Sequence, residues 1–109
     1  MATKANLTID QGASYSTNID ILDEYGIAID LTNYTGAAQM RKHYTSSNAI
    51  NFSVDLGGAD GTVTLSLTAN ATANIAAGRY VYDVELTSDT GAVSRVLEGI
   101  VTVTPNVTR

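Results

Sequence analysis

Residues 79 to 104 constrain the fold more than any other part of the chain, because they hold two alternating runs of apolar and polar residues joined by a short polar segment. Alternation with a period of two is typical of a strand with one buried face. The segment Ser88–Gly91 has the small polar residues and the glycine of a tight turn. The sequence therefore predicts a long antiparallel β-hairpin, whose first strand has the apolar residues Tyr80, Tyr82, Val84 and Leu86.

The turn also predicts a register for this hairpin. The predicted cross-strand pairs are Leu86 with Val93, Val84 with Arg95, Tyr82 with Leu97, and Tyr80 with Gly99. A tyrosine ring over Gly99 would support a strand residue that has no side chain. Gly99 also fits a β-bulge, which is favoured because Val96 and Ile100 have the opposite parity from the other apolar residues of the second run. Pro105 has no N–H for a ladder and is predicted to end the strand.

Composition excludes several classes of protein. A chain of 109 residues with 44% hydrophobic and 16% charged residues predicts one folded domain, and it lacks the ~18 consecutive apolar residues of a membrane helix. The start of the chain, Met1–Asn6, does not resemble a signal peptide, so synthesis in a cytoplasm without export by the general pathway is expected. The absence of cysteine excludes disulfides and thiolate metal sites. A net charge of −5 with six scattered basic residues argues against a nucleic-acid partner.

The rest of the chain is also typical of strands. Residues 14 to 31 predict a second hairpin, in which Tyr15–Ile21 pairs with Ile27–Leu31, and Ile50–Leu56 predicts one continuous strand. Ala37–Tyr44 has helix-favouring residues, but its all-β surroundings favour a strand with Ala38 and Met40 facing one way. The other predicted elements are strands at 6–10 and 63–67 and one short helical turn near 69–76.

These elements predict an all-β protein. The predicted architecture is an antiparallel β-sandwich, immunoglobulin-like in general shape, that forms a single domain over residues 1–109. A short N-terminal arm (1–6) and a C-terminal tail (105–109) flank it.

Residues suited to catalysis are few. His43 is the only histidine, and a general base needs a partner that orients it, so a solvent-facing strand residue is the favoured interpretation. Asp83 and Glu85 could form the acid pair of a glycosidase, but cross-strand charge pairing with Arg95 is favoured, because acids on a flat strand have no pocket. The glycine-rich segment 57–61 precedes no helix and is not a phosphate cradle. The sequence predicts neither an enzyme nor a cofactor.

Four carboxylates surround one predicted turn. Ca²⁺ prefers six to eight oxygen ligands, and these residues could supply some of them. Their spacing matches no calcium-binding loop, so ordinary surface charge is the favoured interpretation and no metal site is predicted. The four residues are Asp20, Asp23, Glu24 and Asp30.

The chain resembles a family of small structural virion proteins of tailed bacteriophages and prophages, of the tail- or baseplate-associated or decoration type. The similarity is strongest from Leu65 to the C-terminus and extends to two N-terminal segments. Its residues are Gly78–Glu85 (GRYVYDVE), Gly91, Arg95, Leu97–Gly99 and Pro105–Arg109, with Leu7–Tyr15 and Gly26–Thr35 in the N-terminal half. The resemblance implies a β-sandwich virion component without catalytic residues.

The expected function is therefore that of a virion structural protein, present in many copies, that docks on tail, baseplate or neck proteins through edge strands and termini. Capsid decoration is an alternative, and a carbohydrate-binding or adhesin-like module, with tyrosines stacked on sugars, is a third. The expected partners are other virion proteins and further copies of the chain, with no nucleic acid and no membrane. The candidate interaction residues are Tyr25, Tyr34, Tyr44, Pro105, Asn106, Val107, Thr108 and Arg109.

Overall fold

The computed structural model describes residues 3–22 and 25–107 and consists mostly of β-strands. One turn of 3-10 helix at Gly58–Asp60 accompanies the other elements. Those are β1 (Thr3–Lys4), β2 (Leu7–Asp10), β3 (Tyr15–Asp20), β4 (Thr35–Arg41), β5 (Ile50–Asn51), β6 (Ser53–Leu56), β7 (Thr62–Leu67), α1 (Ala69–Ala73), β8 (Gly78–Thr87) and β9 (Val93–Thr104).

The strands form two sheets that pack face to face, which confirms the predicted all-β sandwich. In the larger sheet, β1 and β2 both pair with β9, and β8, β4 and β5 follow in that order. The smaller sheet has the order β3, β7, β6. The larger sheet is mixed and not purely antiparallel, because β1 and β2 run parallel to β9.

The core lies between the two sheets and follows the alternation in the sequence. β7 buries every second residue from Val63, and β8 buries every second residue from Tyr80. Each alternate residue of these strands faces outward, as the period of two requires. The side chains that are most completely enclosed include Ile9, Leu31, Met40, Val63, Leu65, Val84, Leu97 and Val101.

The β8–β9 hairpin is present, but its predicted register is wrong. Thr87 pairs with Val93, so the strands join one residue nearer to the turn than expected. A bulge then inserts Val96, because Glu85 pairs with Arg95 while Val84 pairs with Leu97. The bulge lies at Val96 and not at Gly99. It turns Leu97, and with it Val101 and Val103, toward the core, whereas Val93 remains exposed.

The predicted hairpin over residues 14 to 31 is also wrong. β3 pairs along its whole length with β7, from Tyr15 opposite Leu67 to Asp20 opposite Thr62. Residues 27–31 form no strand, and a single bridge joins Leu22 to Ala28. Pairing with β7 places β3 beside fully buried apolar side chains, which a local hairpin could not provide. The predicted turn residues Asp23 and Glu24 lie outside the described residues.

The predicted continuous strand over Ile50–Leu56 is broken at Phe52. β5 pairs with β4 in the larger sheet, and β6 pairs with β7 in the smaller one. The Phe52 N–H still donates to the Ala38 carbonyl at 3.0 Å, and its ring meets the Tyr82 ring edge-on, with centroids 6.3 Å apart. The chain therefore changes sheets at the residue whose large ring fills the space between them.

The strand predicted near Ala37–Tyr44 and the short helical turn near 69–76 are both confirmed. β4 buries Ala38 and Met40, so burial outweighs the helix propensity of this segment. The Thr68 side chain caps α1 by accepting a hydrogen bond from Ala71 N. Thr72 is fully buried, and its hydroxyl accepts from Gly12 N at 3.0 Å and donates to the Ala13 carbonyl at 2.8 Å. This hydroxyl joins α1 to the turn that precedes β3.

The beginning and the end of the chain meet at Gly99. A Cβ atom on Gly99 would lie 2.1 Å from the carbonyl oxygen of Ala5, so only glycine fits here without movement of the backbone. The same carbonyl accepts a 2.6 Å hydrogen bond from the Tyr82 hydroxyl, and Tyr82 is the cross-strand partner of Gly99. The Asn6 side chain accepts from Ile100 N at 3.1 Å. These contacts hold residues 3–10 beside β9, so the described part of the predicted arm belongs to the sheet.

We predict that Gly99→Ala lowers the free energy of unfolding by at least about 2 kcal/mol, because the new methyl group forces Ala5 away from β9. Chemical denaturation measures the change. The matched control is Ser94→Ala, at an exposed residue of the same strand, which should change stability by less than about 0.5 kcal/mol. Equal stability of Gly99→Ala and the wild type would contradict the close approach.

Candidate interaction surfaces

The three tyrosines selected from the sequence do not form one surface. Tyr34 precedes β4 and packs partly buried against the core, whereas Tyr44 follows β4 and is 77% exposed. The seven residues of β4 separate its ends by roughly 20 Å. Tyr25 is 79% exposed in the loop between β3 and β4. The rings therefore offer no common platform on which a carbohydrate could stack.

The C-terminal tail lies against the turn that follows β2. Strand β9 ends at Thr104, which confirms the role predicted for Pro105. The Asn106 N–H donates to Gln11 Oε1 at 3.3 Å, and the same glutamine donates from Nε2 to the Ile75 carbonyl at 2.7 Å. Val107 is 93% exposed. The remaining candidates of the tail, Thr108 and Arg109, lie outside the described residues.

The loop between β3 and β4 presents apolar side chains that the sequence analysis did not select. Leu22 is 53% exposed and Ile27 is 63% exposed, and the same loop carries the exposed ring of Tyr25. We call Leu22, Tyr25 and Ile27 the apolar tip. The alternation of Ile27 with Ile29 and Leu31 predicts a strand, but the structure has a loop in which Ile27 is exposed and Leu31 is buried.

The apolar tip lies at the end of the sandwich that also holds the turn around Gly58–Asp60. Ile29 N donates to the Ile21 carbonyl at 3.0 Å, and Leu31 N donates to the Gly58 carbonyl at 2.8 Å. Leu31 is almost fully buried, so the base of the loop is fixed to the core. The tip is thus presented on a supported loop.

A shallow groove crosses the outer face of the larger sheet beside Tyr44. Asp83 lies directly opposite Glu98 in the β8–β9 ladder, and Glu85 lies opposite Arg95. Arg95 Nη1 and Glu98 Oε2 form an ion pair at 3.4 Å. An exposed pair of this kind contributes little to stability. Gln39, Arg41, Val81 and Tyr82 complete the lining. Arg95 therefore forms its ion pair with Glu98 of its own strand, and not with Asp83 or Glu85 as predicted.

The described residues that were considered for catalysis and metal binding make ordinary surface contacts. His43 is exposed, and its backbone N–H donates to Ser46 Oγ at 3.1 Å. Asp20 Oδ1 accepts from Thr62 Oγ1 at 3.3 Å. Two hydrogen bonds from Thr32 to the Asp30 carboxylate lower the pKa of Asp30, and the bond from the hydroxyl has a larger effect than the bond from the backbone N–H. Within residues 3–22 and 25–107, no group of three His, Asp or Glu side chains is arranged to hold a metal ion.

The comparisons with known proteins add no functional assignment. No protein-family model and no curated protein matches the sequence. Among solved structures, a family 123 glycoside hydrolase from Clostridium perfringens, studied for glycolipid glycan hydrolysis, aligns with 97% of this chain at 12% identity and a TM-score of 0.44. The chain spans 24% of the length of that protein. A similarity at this level carries no argument about activity. No helix in the described ranges has the length and hydrophobicity required to cross a bilayer.

The hydroxyl of Tyr82 provides a pH-dependent test of the contact with Ala5. Burial, with a smaller contribution from the nearby Tyr15, raises the pKa of Tyr82 to about 12. An unfolded tyrosine releases its proton near pH 10. Between these pH values the folded state holds the proton more firmly than the unfolded state, so the contribution of Tyr82 to stability is complete below about pH 10 and is lost toward pH 12.

We predict that the free energy of unfolding of the wild type falls more steeply between pH 10 and 12 than that of Tyr82→Phe, which has no proton to lose at this position. At neutral pH the variant should be less stable by about 1 kcal/mol, because the Ala5 carbonyl loses its donor. Denaturant titrations of both proteins at a series of pH values measure the two effects. Parallel pH profiles would show that Tyr82 is not a buried donor.

Proposed function

We propose that this chain is a non-enzymatic structural protein of a tailed-bacteriophage virion, present in many copies, that docks on other tail, baseplate or neck proteins. The proposal starts from the sequence resemblance, whose residues are strand and turn residues. Two observations support it: the residues of the pattern make contacts within the fold, and the loop between β3 and β4 exposes three large apolar side chains.

Several residues of the resemblance make the contacts that close the fold. Gly99 admits the Ala5 carbonyl, and Tyr82 donates a hydrogen bond to it. Gln11 links the β2 end to Ile75 and Asn106, and Gly12 N donates to the buried Thr72 hydroxyl. A pattern of this kind identifies a fold used as a building block.

The observation that carries the proposal is the exposure of the apolar tip. Its three side chains, Leu22, Tyr25 and Ile27, are each more than half exposed in a chain whose other apolar residues mostly fill the core. Large apolar side chains exposed on one supported loop are candidates for a surface that contacts another protein. In a particle, a neighbouring subunit would cover the tip and remove this area from water.

Capsid decoration would use the same features, and the location of the chain in the particle distinguishes it from tail or baseplate attachment. A carbohydrate-binding module is not proposed, because Tyr34 and Tyr44 lie at opposite ends of β4.

Mass spectrometry of purified particles of the phage or prophage that encodes the chain tests the virion role. Detection of the chain at several copies per particle would support that role. Particles that are complete without the chain would refute that role.

We predict that Ile27→Asp reduces incorporation of the chain into particles at least tenfold, because a carboxylate cannot be buried against an apolar neighbour without a large desolvation cost. Its stability should remain within about 0.5 kcal/mol of the wild type, since Ile27 is largely exposed. Ser53→Asp, which adds the same charge at an exposed strand position, is the matched control. Equal incorporation of both variants would exclude the apolar tip as the contact.

We further predict that removal of residues 105–109 leaves the fold intact and weakens assembly. The described tail contacts include the Asn106 hydrogen bond to Gln11, whose loss should lower stability by about 1 kcal/mol. Circular dichroism and thermal unfolding test the fold, and particle incorporation tests assembly. An unfolded truncation product would show that the tail is part of the core structure, and undiminished incorporation would show that it is no contact.

A further inference from the structure

Strand β3 forms one edge of the smaller sheet and has an unpaired side along its whole length. The Ile21 N–H donates to the Gly61 carbonyl at 2.8 Å, so the N–H of Ile21 points toward β7, and the Thr62 carbonyl, opposite Asp20, accepts from Gly57 N on the β6 side at 2.7 Å. The N–H and C=O groups of successive residues in a strand point to alternate sides of that strand. Consequently Tyr15, Thr17 and Ile19 direct their N–H and C=O groups toward β7, whereas Ser16, Asn18 and Asp20 direct theirs outward.

The side chains on the inner face of β3 are also incompletely covered by the rest of the protein. Tyr15, Thr17 and Ile19 are each only partly buried. On the neighbouring strand, Val63 and Leu65 are both fully buried in the same core. The apolar surface of the core therefore extends to the β3 edge and stops there without a cover.

β3 also lacks the features by which natural proteins protect an edge. Its sequence, YSTNID, has no proline, no lysine and no inward-facing charge, and its pairing with β7 runs without a bulge. The other edge strands of the described chain are shorter: β1 and β5 have two residues each, and β2 and β6 have four each. At six residues, β3 is the longest edge in the described ranges.

We propose that β3 pairs in antiparallel fashion with β3 of a second copy of the chain, about a two-fold axis at Asn18. This register places Ser16 opposite Asp20 of the second copy, and Asn18 opposite its own equivalent. All three outward-directed residues then form hydrogen-bonded pairs, each of which exchanges two backbone hydrogen bonds. The two smaller sheets become one continuous sheet of six strands.

The side chains of β3 suit this arrangement. Asp20 is the only charged residue of the strand, and in the two-fold register it faces a serine hydroxyl, which can donate to its carboxylate. A slide of the second copy that brings Asp20 opposite Asp20 is unfavourable, because like charges directly opposite destabilise a ladder. On the inner face, Ile19 lies opposite Thr17 of the second copy, and both lose contact with water.

The expected association is weak. A single strand pair buries less surface than a standard protein interface, and each chain has a net charge of −5. The dimer should therefore form at high protein concentration and be favoured by salt, which screens the repulsion. In a particle, many copies held close together would raise the effective concentration.

Sedimentation equilibrium of the full chain at about 0.3 M salt, from micromolar to millimolar protein, tests the proposal. The expected result is a mass that rises from 11.4 kDa toward twice that value. Asn18→Pro should stay monomeric, because it removes an outward N–H while every backbone hydrogen bond to β7 is kept; like the control below, it also removes the Asn18 Oδ1 that accepts from Thr64 Oγ1 at 2.8 Å. Asn18→Thr, which keeps the N–H, is the matched control and should associate as the wild type does. A monomeric wild type at every concentration, or a dimer that Asn18→Pro does not weaken, would overturn the proposal.

Amide hydrogen exchange of the wild type tests the β3–β3 pairing even if Asn18→Pro fails to fold. The amides of Ser16, Asn18 and Asp20 should exchange at least tenfold more slowly at millimolar than at micromolar concentration, while those of Thr17 and Ile19 are protected in both. Concentration-independent exchange of these three amides would overturn the proposed pairing. Because this pairing lies beyond the proposed virion role, its failure would leave the particle experiments unaffected.

Discussion

The contact between the Ala5 carbonyl and Gly99 determines how the two ends of the chain are joined. β9 is paired on one side with β8 and on the other with β1 and β2, so it is an interior strand although it comes last in the sequence. This arrangement requires a residue without a side chain where Ala5 crosses, and it requires a donor for the carbonyl, which Tyr82 provides. With β2 in place, Leu7 and Ile9 complete the core beneath the smaller sheet.

The residues that join the parts of this fold differ from the residues proposed to contact other proteins. The residues with special backbone or hydrogen-bonding requirements, such as Gly99, Tyr82 and the buried Thr72, are used to join the sheets, the helix and the termini. The contacts proposed above, with other virion proteins and with a second copy, use the apolar tip and the β3 edge, which lie outside these joints.

The sequence predicts much of the fold because a period of two marks a buried face wherever a strand is long enough. β7, β8 and the end of β9 follow that rule, and β4 follows it against its helix propensity. The register of β8 and β9 could not be predicted, because the bulge at Val96 is determined by long-range packing. The break at Phe52 and the pairing of β3 with β7 likewise depend on the second sheet. Leu22 and Ile27 were missed because exposure of an apolar residue leaves no mark on the local pattern.

Native-state hydrogen exchange on the β2 amides tests most directly whether the junction at Gly99 makes the two termini part of one cooperative structure. If it does, the slowest amides of Leu7–Asp10 should exchange only through global unfolding, with the same free energy of opening as those of Val101 and Val103. Exchange of every β2 amide through a local opening several kcal/mol easier than global unfolding would contradict the account. The N-terminal strand would then be an addition to a sandwich that is stable without it.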